Sequence, residues 1–320
     1  MNVLVVGGTR FIGVATVERL LERGHAVTLF NRGSRAGLWG GRVRELHGDR
    51  RESLAPLAHE RFDAVLDFCA YTARDTEALL GVQGEVQRLV HLSSGTVYAL
   101  DPHLPWREDT PLGPAELWGD YARGKIDCER ALARRPPSVA TTIVRLPWVL
   151  GPRSYADREA FVFNRLLDAE EVLLPGDGKA LQQFVSAAQV AHALVAIVER
   201  FETGLRALNV ASPGYASLEG FVALCAQVAG VEPRLTRVGG GPTGTGAATF
   251  AITDCVFPFP NENYLLDLAA AADAGVAPPP ADVEQVLAES LEWLRSDPAR
   301  RRWRRTPAET AALRALARRD

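Results

Sequence analysis

Residues 2–24, NVLVVGGTRFIGVATVERLLERG, decide the fold. Asn2 to Val6 is a short, largely β-branched run. The loop GGTRFIG (7–13) follows, and VATVERLLERG then puts Val14, Val17, Leu20 and Leu21 on one helical face, with Gly24 as a stop. A glycine pattern by itself is a weak signal. Between a strand and a helix it has a physical meaning: the glycines allow a sharp turn and let a pyrophosphate approach helix amides whose dipole favours negative charge.

Outward from this unit, the strand signal returns at AVTLF (26–30), RVREL (42–46), DAVLDF (63–68), RLVHLSS (88–94) and ATTIVRL (140–146), with helical or turn-rich segments between. Such alternation predicts a doubly wound parallel α/β sheet covered by helices on both faces, of the Rossmann-like kind. After about residue 155 the pattern loosens. REAFVFNRLLDAE (158–170), AQVAHALVAIVERF (188–201), SLEGFVALCAQVAG (217–230) and PPPADVEQVLAESLEWLRSD (278–297) read as helices, VLLPGDG (172–178) as a strand and turn, and ALNVAS (207–212) as a further strand. GGGPTGTGA (239–247) is too glycine-rich for a regular element and reads as a surface loop. The expected domains are 1–155 plus about 180–212 for the dinucleotide, and about 156–179 plus 213–320 as a smaller substrate-binding domain.

Bulk composition excludes several classes. The 320 residues, 47% apolar and 23% charged, are ordinary for a globular chain, and a net charge of −3 speaks against a general nucleic-acid coat. No apolar run approaches the ~18 residues of a membrane span, and the first residues lack signal-peptide features, so the expectation is a cytoplasmic protein. Cys69, Cys128, Cys225 and Cys255 are widely spaced, which suggests neither a disulfide framework nor a metal site. Residues 298–320 carry eight Arg against Glu309 and Asp320. They read as a solvated terminal helix, with contact to phosphates or an acidic partner as the other reading.

Cofactor choice is read at the end of the second strand, where a carboxylate would hold the ribose hydroxyls of NAD. Here the chain has Asn31 and Arg32, and Arg10 lies inside the glycine loop. An amide followed by a cation suits a 2′-phosphate, so NADP(H) is favoured over NAD(H). Asp49, in HGDRR (47–51), either meets the adenine amino group or is a simple turn carboxylate.

Only two of the 36 basic residues are lysines, Lys125 and Lys179. Lys125 closes YARGK (121–125), four residues after Tyr121 and so on the same helical face, in a helix expected from about Asp120 to Pro136. A phenol with a pKa near ~10 is a poor base at neutral pH, and a nearby cation favours its ionised form. In HLSSGTVY (91–98), Ser94, with Ser93 second, ends a strand at the sheet edge that carries the glycine loop. A hydroxyl there could orient a carbonyl or carbinol oxygen, or simply cap its own backbone.

GGTRFIG, HLSSGTVY, YARGK, VRLPWVLGPR (144–153) and LLPGDGKALQQFVSAAQVAHALV (173–195), in this order, resemble the extended short-chain dehydrogenase/reductases of the NAD-dependent epimerase/dehydratase family. FDAVLDFCAY (62–71) and GPRSYADREAFVFNRLL (151–167) look closest to its group of chloroplast stem-loop-binding proteins and bacterial relatives. The resemblance implies Tyr121 as general acid/base, Lys125 as ribose ligand and modulator of the phenol, and Ser94 as orienter of the substrate oxygen. It implies cofactor contacts from Gly7, Thr9, Arg10, Phe11, Ile12, Gly13, Asn31, Arg32, Asp49, Cys69, Ala70, Lys125 and Pro147. Tyr71, Thr96, Trp148 and Gln182 would line the substrate pocket; Trp148, with Trp118 and Tyr155, either lines it or serves in packing.

The chain departs from the family where nucleotide-sugar enzymes carry Arg-Asp after the PGDG turn: it has Gln182 and Gln183. SAAQ (186–189) replaces Val-x-Asp-Asp, Trp148 stands for an asparagine, and Gly95 and Thr96 stand where dehydratases carry acids. Loss of a diphosphate-pairing arginine counts against a nucleotide sugar. The expected activity is reduction of a ketone, or oxidation of an alcohol, on a polar small molecule. A cofactor-retaining epimerase and a nucleotide-sensing or RNA-binding protein are the alternatives, and relatives suggest a homodimer.

Overall fold

The computed structural model describes residues 1–82, 86–113, 118–135, 140–200, 202–239 and 255–318. Its centre is a seven-stranded sheet formed by β1 (Asn2–Val6), β2 (Ala26–Asn31), β3 (Arg44–His47), β4 (Ala64–Asp67), β5 (Arg88–Ser94), β6 (Ala140–Leu146) and β10 (Leu205–Asn209). The order is β10-β6-β5-β4-β1-β2-β3, and every pairing is parallel. Both faces are covered, which is why the strands read as nearly continuous apolar runs. Val3 and Val5 pack with α1 (Phe11–Glu22) and α5 (Ala187–Glu199). Leu4 and Val6 point the other way, into the core that holds Leu79 of α2 (Ala73–Val82) and Leu132 of α3 (Gly119–Leu132).

The chain runs outward from β1 to β3, then crosses back to β4 on the other side of β1. This reversal opens a crevice at the carboxyl ends of β1 and β4, where open α/β sheets bind ligands. The expected strands are present; β3 starts two residues later than the sequence suggests, because this edge strand is half-exposed and its apolar signal is weak.

A third, aromatic-rich core joins α4 (Arg158–Leu167), α6 (Leu218–Ala229) and α8 (Val283–Arg295) to two small sheets. One sheet has the order β11 (Tyr215–Ser217), β9 (Leu181–Ser186), β7 (Trp148–Leu150); the other pairs β12 (Leu235–Val238) with β8 (Val172–Pro175). The sequence reading missed β7, β9, β11 and β12. β9 was obscured by its two glutamines, which interrupt the apolar pattern although both are buried. SAAQ proves to be a capping box for α5: Ser186 accepts from the Gln189 N–H, and the Gln189 side chain accepts from the Ser186 N–H.

The arginine-rich terminus is docked rather than merely solvated. Arg301 pairs with Asp168, Arg305 with Glu170, and the guanidinium of Arg300 lies 3.4 Å over the Trp293 ring. Helix α9 (Pro307–Leu316) is tied to α4 by a buried Arg165–Glu309 pair. Residues 240–247 of the glycine-rich stretch, and the expected helix stop at Pro136, lie outside the described residues.

Candidate active site

The glycine loop opens into a cleft of about 500 Å³. Gly7 (φ 98°) and Gly8 (φ 83°) occupy the left-handed region. A Cβ on Gly13 would stand 2.4 Å from the Cα of Gly8, so the start of α1 is pressed against the turn. Among the sequence-predicted residues, Gly7, Thr9, Arg10, Ile12, Gly13, Asn31, Arg32, Asp49 and Cys69 line this cleft. Phe11, Ala70 and Pro147 are instead buried in its surroundings. Tyr71, expected in the substrate pocket, lines this cleft. Gly8 and Arg51 also line it and went unnamed in the sequence reading.

Asn31 tests whether the cleft suits a dinucleotide. Its Oδ1 accepts from the Gly33 N–H at 2.7 Å, while its Nδ2 is buried without a partner among the described residues. A donor left open at the end of β2, beside Arg32, fits the adenosine end of such a ligand. Asp49 accepts from the Arg51 N–H at 2.9 Å and so is also a turn carboxylate. The wall behind Cys69 is held by Arg50, whose guanidinium grips Asp67 at 2.6 and 3.0 Å and donates to the Asp75 carbonyl at 2.6 Å. Burial raises the Asp67 carboxyl, but the Arg50 charge and hydrogen bonds outweigh it and hold the group below its ordinary range.

Lys125 is only 3% exposed, so it is no surface lysine. Its Nζ donates to the carbonyls of Ala70 at 2.9 Å and Leu92 at 2.7 Å, and stands 5.0 Å from the Tyr71 ring centre. A broad guanidinium could not enter so narrow a space in the same way. Burial lowers its pKa, as expected for a desolvated ammonium. Gly124 explains how α3 comes this close: a Cβ there would lie 2.1 Å from the Tyr71 carbonyl oxygen, a backbone atom that cannot swing aside. Gly124→Ala is therefore expected to cost ~1–3 kcal/mol of stability. An unchanged Tm would show that α3 does not need this approach.

Tyr121 is 47% exposed, and its hydroxyl faces Ser94. Surrounding protein raises the phenol above its ordinary value; the Ser94 hydroxyl and the Arg158 charge act to lower it. Lys125 Nζ stands 6.0 Å from the ring centre. Ser94 accepts from the Thr96 N–H at 3.2 Å and its hydroxyl at 3.0 Å, so it both caps the turn after β5 and faces Tyr121. Ser93 points the other way and donates to Glu129 at 2.5 Å, in a buried network with Arg145.

Three residues expected in the substrate pocket are packed away. Gln182 is 0% exposed: its Oε1 accepts from the Trp148 indole at 2.7 Å and its Nε2 donates to the carbonyls of Pro260 and Glu262. Trp148 is buried between Tyr264 and Phe259, and Trp118 packs on the same cluster. Thr96 is likewise buried. Arg158 and Tyr264 take their place beside the site. The Arg158 guanidinium lies 4.4 Å over the Trp148 ring, and the Tyr264 hydroxyl covers Gly95, where a Cβ would approach it to 2.4 Å. Tyr264 reaches Ser94, and Arg158 comes near Tyr121, through tertiary packing rather than local spacing.

Behind Lys125, burial pushes the His91 imidazole down to about 3, with Lys125 acting in the same sense. Unfolded, such a ring titrates near ~6.5. Between these values the unfolded chain binds the extra proton, so this stabilisation is complete above about pH 6.5 and is lost as pH falls towards 3. His91→Gln should flatten the fall in Tm between pH 6.5 and 5, a slope of up to ~1.4 kcal/mol per pH unit. A slope equal to wild type would assign the effect to another group.

Among the described residues there is no cluster that could hold a metal, and no helix long and apolar enough to cross a membrane. Two curated proteins of Arabidopsis thaliana are similar to this chain. The chloroplast stem-loop binding protein of 41 kDa b is 26% identical over 253 residues, 74% of this chain and 65% of that protein. A putative UDP-arabinose 4-epimerase is 24% identical over 285 residues, 72% of this chain and 65% of its own length. The chain thus spans slightly less than two thirds of these relatives. The UDP-glucose 4-epimerase of Thermotoga maritima, solved with UDP-glucose, superposes at a TM-score of 0.75 with 20% identity, covering 92% of this chain and 99% of that one. This last likeness concerns the fold. With residues 3–211 matching its description, the chain belongs to the NAD dependent epimerase/dehydratase family.

Proposed function

We propose that the protein is an NAD(P)-dependent oxidoreductase acting on a ketone or secondary alcohol of a polar small molecule, with NADP(H) favoured over NAD(H). The observation that carries this reading is the convergence of Tyr121, Ser94 and a buried Lys125 beside the glycine-loop cleft. Gly7, Gly13 and the amides opening α1 would hold a pyrophosphate, and Asn31 with Arg32 the adenosine end. A bound nicotinamide supplies or accepts the hydride. Tyr121 gives its proton to the carbonyl oxygen in reduction, or takes it from the carbinol in oxidation, while Ser94 orients that oxygen. Arg10, Arg32 and Arg51 around the cleft support a 2′-phosphate.

An NAD-retaining epimerase is the second reading, favoured by the similarity to a putative UDP-arabinose 4-epimerase. Gln182 and Gln183 speak against a nucleotide sugar. Both are buried and spend their amides on Pro260, Glu262, Ser212 and Leu266, leaving them no role as a diphosphate clamp. A homodimer through α3 also finds little support, because its outer face carries Asp120–Arg123 and Asp127–Arg130 pairs rather than an apolar stripe. Mass spectrometry of the ligand in freshly purified protein, followed by NADPH and NADH titrations, tests the reading. Empty protein with tighter NADPH binding is expected; tightly retained NAD would move the assignment to the epimerase.

A further inference from the structure

Three of the six tyrosines come to the surface together beside the glycine-loop cleft. Tyr71 and Tyr155 line the cleft itself and remain 41% and 65% exposed. The Tyr71 ring stands 6.3 Å from that of Tyr121, tilted by 49°. Tyr155 meets the buried Phe11 ring at 6.2 Å and 84°, and lies near enough to the other two phenols to interact with them electrostatically. Exposed apolar side chains scattered singly need no explanation, whereas a contiguous set on the rim of a cleft marks a place where a ligand is bound.

Three features suit this rim to a flat ligand. Tyr71 is held from behind, with the Lys125 Nζ 5.0 Å over its ring and its own backbone pressed on Gly124. A side chain restricted in this way loses little freedom when a ligand stacks on it. Surrounding protein holds all three phenols above their ordinary values, so at neutral pH they present rings rather than charge. The Tyr121 hydroxyl faces Ser94, which places the Tyr71 ring a ring's breadth from the atoms that would react.

We propose that the substrate carries a planar, uncharged ring that stacks on Tyr71 and Tyr155, joined directly or by a short chain to the carbon that is reduced or oxidised. Aromatic rings pair in offset or edge-to-face geometry through their quadrupoles, a gain that a saturated ring of similar size does not share. This assignment rests on the oxidoreductase reading and adds a substrate class to it.

The test uses two matched pairs of probes on the protein loaded with NADPH. Phenylacetamide and cyclohexylacetamide, a flat and a puckered ring without a ketone, are compared in affinity by ligand-observed NMR. In parallel, 4-phenyl-2-butanone and 4-cyclohexyl-2-butanone are compared as substrates by kcat/KM. Wild type should favour the flat member of each pair by ~3–10-fold. Tyr71→Leu and Tyr155→Leu should each bring that preference close to one with NADPH affinity unchanged, while Tyr71→Phe and Tyr155→Phe should keep it. The absence of a preference in wild type, or its survival in both leucine variants, overturns the proposal. So does a loss of NADPH affinity in the leucine variants, which would give the rim to the cofactor. Flat-ring binding that depends on the two tyrosines, without turnover of either ketone, would uphold the ring site and reject the oxidoreductase reading.

Discussion

Tyr121→Phe is expected to lower kcat by ~10²–10⁴-fold with little change in NADPH affinity, because it deletes the proton donor while leaving the ring in place. In the free protein the phenol is held above its ordinary value, chiefly by burial. It is therefore protonated throughout neutral pH, the form that reduction needs. Reduction should stay level between pH 6 and 8, whereas oxidation of the product alcohol, which needs the ionised form, should rise by about tenfold per pH unit. Initial rates of NADPH consumption and formation in wild type and Tyr121→Phe test this. Full turnover by the phenylalanine variant would remove Tyr121 from the mechanism, and a level oxidation profile would separate the phenol from the proton transfer.

Glu309→Ala should produce the largest loss of stability. The Arg165 guanidinium donates to Glu309 at 2.7 and 2.5 Å, with both side chains essentially inaccessible, and it is sandwiched by Phe161 and Trp303. Glu309 also closes the capping box of α9 by accepting from the Thr306 N–H at 2.8 Å. Truncation strands a buried cation and uncaps the helix at once, at a cost of ~3–5 kcal/mol. Calorimetry should record a fall in Tm on the order of 5–10 °C. The double variant Arg165→Met, Glu309→Leu should recover most of it, since no charge is then left unpaired. A single variant as stable as wild type would mean that the terminus is not anchored by this pair.

The proposed catalytic set was legible because its spacing is local. Tyr121 and Lys125 share a helical face by their four-residue interval, and the scarcity of lysine drew attention to Lys125. Gly124 looked costly within a helix and acquired its reason only from the backbone of Tyr71, more than fifty positions earlier. Gln182 and Gln183 were legible as departures from a family pattern, but their new task was not. They bind the 260–266 segment, a partner about eighty residues away in the chain. Arg158 lay within a stretch that carried the family resemblance but had no role assigned to it, and Tyr264 belongs to no motif.

The amino-acid sequence by itself determined the parallel sheet, the glycine loop and the Ser94, Tyr121 and Lys125 set. Strand periodicity, helix stops and loop chemistry all act within a few residues. Only the tertiary structure decided which side chains face the site and which are used up in packing. That choice depends on contacts between distant segments, which bring Ser94, Tyr121, Arg158 and Tyr264 together and turn Gln182 and Trp148 inward.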